Sequence, residues 1–109
     1  MATRYEGQQF LATDAVLLEI GNALAKKYRQ EAVEVITHLL TSEDVEVVRL
    51  TPALFDESFA LYKSHQDKEW GLIDCVSFVV MRQNEIQDAL TFDHHFVQAG
   101  FRALMREAE

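Results

Sequence analysis

The sequence predicts one α/β domain spanning residues 1–109 and built on a parallel sheet. Short apolar or β-branched segments alternate with longer segments of helical period, as parallel strands joined by helical crossovers require. The helical segments open on residues suited to capping. At 109 residues the chain suffices for one hydrophobic core and is short for two.

Gln9 to Thr13 has strand length, and Thr13 or Asp14 offers an oxygen to cap a following helix. That helix is expected from about Ala15 to Tyr28, with Val16, Ile20, Ala23 and Leu24 at helical spacing. Lys26, Lys27 and Arg29 then fall at its end, where cations complement the macrodipole, although they are also placed to meet a phosphate ligand. A second helix, Glu31 to Leu40, presents Val33, Ile36, Leu39 and Leu40. Val45 to Leu50 reads as a β-branched strand.

Thr51-Pro52 starts the next helix, with Thr as cap and Pro as first helical residue. Leu54, Phe55, Phe59, Leu61 and Tyr62 supply its apolar side up to about His65, with the aromatics read as core or as a dimer-facing stripe. After the polar loop Gln66 to Glu69, Trp70 is expected to anchor the entry to a helix from Gly71 to Gln83 that is apolar nearly all round. Asp74 and Ser77 are its polar interruptions, so it should be the buried central helix. Ala89 to Phe92 is a short strand, Asp93 caps a turn through Gln98, and Gly100 ends it before a last strand or helix near Phe101 to Met105.

An apolar fraction of 49% and a charged fraction of 26% exclude a disordered chain. No apolar stretch reaches membrane-spanning length and the N-terminus lacks the apolar core of a secretory signal, so a cytoplasmic protein with no membrane role is expected. The lone Cys75 has no internal disulfide partner and reads as core packing. With 10 Lys plus Arg against 18 Asp plus Glu, the net charge of −8 disfavours a broad grip on a nucleic-acid backbone and suits a basic protein partner. Convergence of several carboxylates on a divalent cation would reverse the local field where a phosphate approaches.

Three carboxylates are so placed: Glu19 on the helix after one strand, Asp74 in the most apolar helix, and Asp93 directly after another strand. Asp74 says most, because an unpaired buried carboxylate costs several kcal/mol and calls for a cation, a hydrogen-bond network or a wet cleft. Clustered carboxylates hold Mg²⁺ or Mn²⁺ through oxygen, and such ions activate water and neutralise charge on a phosphate. The plainer readings stand beside this one. Asp93 and Asp74 each suit a helix-capping role, and Glu19 a solvated face. His94-His95 suggests zinc, but adjacent histidines should diverge and no third nitrogen or sulfur ligand lies near in sequence.

Thr13-Asp14-Ala15-Val16-Leu17-Leu18-Glu19, Trp70-Gly71-Leu72-Ile73-Asp74-Cys75-Val76-Ser77-Phe78, and Ala89-Leu90-Thr91-Phe92-Asp93-His94-His95-Phe96 with Gln98-Ala99-Gly100-Phe101 form an ordered set of motifs. The set resembles the PIN-domain family, the group containing the VapC-type toxins. The resemblance implies a three-layer α/β/α fold and Glu19, Asp74 and Asp93 as catalytic and metal-holding acids for Mg²⁺ or Mn²⁺. It further implies endoribonuclease activity on single-stranded RNA and neutralisation by an antitoxin.

Two departures qualify it. Ile73 and Gly71 stand where the family often has Thr and Ser, removing hydroxyls near Asp74. The family also begins with a central strand that ends in Asp-Thr or Asp-Ser, and Met1 to Gln8 offers nothing matching it. Loss of that strand and its acid predicts uncovered strand edges, hence a homodimer, a swapped assembly or a complementing fragment. Two functions are therefore expected of such a chain: a metal-dependent ribonuclease, or a catalytically impaired PIN remnant that binds a partner or its own copy.

Overall fold

A computed structural model describes residues 2–5, 9–91 and 93–107. Strand β1 (Ala2–Tyr5) leads to β2 (Gln9–Thr13), followed by α1 (Asp14–Leu24), α2 (Arg29–Thr41) and β3 (Val45–Val48). Then come α3 (Pro52–Ser64), α4 (Leu72–Gln83), β4 (Asp88–Leu90), α5 (His94–Gln98), β5 (Arg102–Ala103) and α6 (Leu104–Glu107). Phe92, expected to close β4, lies outside the described residues.

The sheet order is β3-β2-β1-β4-β5. β2 with β3 and β4 with β5 pair parallel, while β1 is antiparallel to both of its neighbours. Four strands thus run one way and the central one is reversed. The α/β PIN-like fold stands, with a mixed sheet where a wholly parallel one was expected. The expected gap between β2 and β4 is also filled: Thr3 pairs with Leu11 on one side and with Ala89 on the other. Uncovered strand edges at the centre of the sheet therefore give no reason for a dimer. The connection β2-α1-α2-β3 moves one way along the sheet, and β3-α3-α4-β4 moves back the other way.

Caps place the helices as the sequence suggests. Thr13 Oγ1 accepts from Val16 N–H and Thr51 Oγ1 from Leu54 N–H, with Pro52 at the first helical position. Gly100, at φ 96°, turns the chain out of α5. Several boundaries shift. α1 stops at Leu24, so Lys26 and Lys27 lie in the following turn and Arg29 begins α2, where a cation opposes rather than complements the macrodipole. β3 stops at Val48 because Leu50 N–H donates to both carboxylate oxygens of Asp14, each at 3.0 Å, instead of to a ladder partner.

The core forms around α4, in which every residue from Cys75 to Met81 is buried. Phe78, fully buried, stacks edge-on against Trp70 and Phe96 with Phe101 close by. The fold corrects the facing expected of α2 and decides that of α3, whose aromatics the sequence left open between core and exposed stripe. α2 buries Ala32 and half-buries Ile36 and Leu39, leaving Val33 and Leu40 exposed. α3 turns Leu54, Ser58 and Leu61 inward, and Ser58 is satisfied by donating to Leu54 O at 2.7 Å. Phe55, Phe59 and Tyr62 therefore stand outside the core, stacked in a row at 6.2 and 6.4 Å, and each is about 40% exposed.

Candidate active site

β2 and β4 point the same way, so the chain leaves both at the same end of the sheet, where open α/β folds hold their ligands. Three elements bring an acid there. The Thr13 cap launches α1 directly from β2 and sets Glu19 one and a half turns along it. Gly71 opens α4 in extended conformation, and Asp74 sits in the first turn. Thr91 Oγ1 accepts from Asp93 N–H at 3.0 Å, tightening the turn that carries Asp93 away from β4. Glu19, Asp74 and Asp93 line a single pocket of about 110 Å³ with Val16, Ser77 and Thr91 on its walls. The sequence-predicted acids are thus brought together.

Both capping alternatives are realised, alongside the pocket and not instead of it. Asp74 Oδ2 accepts from Gly71 N–H at 3.0 Å. This is half of a capping box, since glycine has no side chain to return the bond. Asp93 Oδ1 accepts from His95 N–H at 2.9 Å. The Ser that Gly71 replaces is therefore not needed to hold Asp74, and Ser77, one turn on, keeps a hydroxyl on the pocket wall. β1 reads Ala-Thr-Arg-Tyr, so among the described residues the central strand brings no carboxylate to this end.

Burial is the largest influence on Asp74 and pushes its pKa above the ordinary 3.8; the Gly71 N–H opposes, the Asp93 charge adds to the rise, and His95 opposes again. Two acids held together with one partly desolvated form an arrangement that a cation relieves. Their oxygen donors are those that hard divalent ions take. The Cys75 thiol, next along α4, is fully buried; burial and then the Asp74 charge push its pKa up, away from a reactive thiolate.

The sequence reading missed His95. Its ring, one-fifth exposed, places Nδ1 3.2 Å from Asp93 Oδ1 and 3.6 Å from Asp74 Oδ2. Nor do the two histidines diverge as expected. Their ring centroids are 4.4 Å apart, and donor atoms of Asp93, His94 and His95 lie within 4.8 Å of one another. The spacing of His95, two residues after an acid at the start of a helical turn, was the available signal. A larger cavity of about 560 Å³ opens beyond Gly71, between Tyr62, Lys63, Lys68 and Trp70, and none of the three acids lines it.

The sequence model of the PIN domain matches residues 3–102. The chain belongs to the PIN-domain family. The chain is 30% identical over 91 residues to the 23S rRNA-specific endonuclease VapC20 of Mycobacterium tuberculosis, in each of two strains. The alignment covers 84% of this chain and 70% of that protein. The crystal structure of M. tuberculosis VapC20, described as a Sarcin-Ricin loop cleaving toxin, superposes with a TM-score of 0.78 at 29% identity. It covers 85% of this chain and 72% of VapC20. Within the PIN family the likeness is therefore to the VapC type of toxin nuclease. Among the described residues no helix is long and apolar enough to cross a membrane.

Proposed function

We propose that this PIN-domain protein is a divalent-metal-dependent endoribonuclease that cuts phosphodiester bonds in single-stranded or loop RNA. The observation that carries the reading is the pocket at the carboxyl ends of β2 and β4, which Glu19, Asp74 and Asp93 all line. Mg²⁺ or Mn²⁺ held by these carboxylates would supply an activated water and charge neutralisation at the phosphate. The chain's own residues orient the site. Gly71 N–H and His95 N–H fix one oxygen each of Asp74 and Asp93, and Val16 and Phe96 form apolar walls. With a net charge of −8, a cation held there would also offset the repulsion between the pocket and RNA.

The test is cleavage of two labelled RNAs, an unstructured strand and a ribosomal fragment containing the sarcin-ricin loop, in Mg²⁺, in Mn²⁺ and in EDTA. Asp93→Asn, purified in parallel, reports contaminating ribonuclease. Metal-dependent cutting that falls at least about 100-fold in the variant is expected, beyond the ~10–100-fold typical of outer-shell losses. Equal cutting by both proteins refutes the reading. The absence of an acid on β1 favours a second reading, a PIN domain retained for binding, and cutting by neither protein supports it.

The VapC type and the acid-rich composition also support a basic antitoxin as protein partner and action in the cytoplasm, where ribosomal RNA is found. Loss of cleavage on complex formation would mark the antitoxin. A homodimer through the exposed row Phe55, Phe59 and Tyr62 on α3 is the favoured assembly, since exposed apolar stripes of this kind mark contact surfaces. Light scattering should give two copies for the unaltered protein and one for Phe59→Glu; two copies for both would exclude this face.

A further inference from the structure

We propose that His95 is a positioning residue, one that holds Asp74 and Asp93 in a fixed relation so that each keeps a free oxygen for the metal. The inference rests on the metal-dependent reading above and adds a residue to it. His95 Nδ1 is the one buried side-chain nitrogen or oxygen without a hydrogen-bond partner among the described residues. Burying such a group unpaired is costly, so the position calls for a reason. The reason lies in what surrounds it: Asp93 Oδ1 at 3.2 Å and Asp74 Oδ2 at 3.6 Å.

These two oxygens are the ones already engaged by backbone N–H groups, Oδ2 of Asp74 by Gly71 and Oδ1 of Asp93 by His95 itself. No hydrogen bond among the described residues engages Asp74 Oδ1 or Asp93 Oδ2. His95 thus stands behind the pair, on the side of the capped oxygens. An Nδ1–H there faces both acids at once, and a donor behind a ligating carboxylate fixes its orientation. Long contacts of this kind are common before a site is loaded. The ring is held from the backbone side because residue 95 lies inside the Asp93-capped turn, directly before the buried Phe96 that packs on Phe78.

Titration of Mn²⁺ into the apo-protein, followed by the electron paramagnetic resonance of the free ion, tests this without RNA. His95→Asn returns an N–H near the place of Nδ1, whereas His95→Gln carries its N–H near the place of Nε2. His95→Ala and His95→Gln should weaken Mn²⁺ binding about 10–100-fold, with His95→Asn close to the unaltered protein. Thermal melts in EDTA confirm that each variant is folded. If the Asn and Gln variants bind alike, or if His95→Ala binds like the unaltered protein, the inference is wrong. Failure of the unaltered protein to bind Mn²⁺ would instead remove the metal-dependent reading, and this inference with it.

Discussion

Asp74→Asn should abolish cleavage and at the same time raise the melting temperature of the metal-free protein. The two effects have one cause. Burial and the neighbouring Asp93 charge hold the Asp74 pKa above its ordinary value, so the ionised form is disfavoured in the fold relative to the unfolded chain. Asparagine keeps an oxygen to accept from Gly71 N–H, 3.0 Å away in the present fold, and removes the charge. Cleavage should fall by more than about 100-fold, beyond the ~10–100-fold typical of outer-shell losses.

The sign of the pH dependence follows from the raised pKa. Well below the ordinary 3.8, Asp74 is protonated in both states and its charge costs the fold nothing. As pH rises through the raised folded value, the unfolded chain releases the proton first and the fold loses stability relative to the variant. The melting-temperature advantage of Asp74→Asn should thus be small in acid and grow towards neutrality. Mg²⁺ should stabilise the unaltered protein, since a ligand bound only by the folded state does so by mass action, and should leave the variant nearly unmoved. Differential scanning fluorimetry across pH, with and without Mg²⁺, reads all of this. A variant less stable than the unaltered apo-protein at neutral pH would show that the attraction of the Asp74 charge to the Gly71 N–H and to His95 outweighs the cost of burying it.

Phe78→Ala carries the largest expected loss of stability. The ring is fully buried and meets Trp70 at 5.1 Å, Phe96 at 4.8 Å and Phe101 at 5.7 Å between centroids. Truncating a buried phenylalanine costs about 3–5 kcal/mol, out of the ~5–15 kcal/mol that a domain has in hand. For a domain of this size that lowers the melting temperature by at least about 12 °C. The loss should also reach the site. Phe96 follows His95 and lines the acid pocket, so the cavity left by Phe78 loosens the turn that aims Asp93. Phe78→Leu, which refills much of the volume, should recover most of both properties; urea unfolding and cleavage assays on the pair check this. An equal loss in the two variants would mean that the aromatic contacts, not the filled volume, hold the turn.

Much of this was legible in the residues. The order of three motifs names the family and singles out Glu19, Asp74 and Asp93, and Thr13, Thr51-Pro52, Asp93 and Gly100 mark where helices begin and end, because capping chemistry is local. The buried run Cys75 to Met81 could be read as the central helix, since an all-round apolar helix has nowhere else to go.

Only the tertiary structure decided the rest. Whether α3 shows Phe55, Phe59 and Tyr62 to the core or to solvent depends on which of two apolar faces meets α4, and periodicity weighs both alike. The reversed β1 at the centre of the sheet depends on pairing with Leu11 on one side and Ala89 on the other. No local preference encodes a partner that far along the chain. His95 shows the same limit at atomic scale. Its place beside Asp93 is visible in the sequence, but its approach to Asp74, twenty-one positions earlier, exists only once α4 and α5 pack together. Helix ends and motif order are set by neighbours along the chain, whereas facing, strand direction and the geometry of the acids are set by contacts between segments that meet only in the fold.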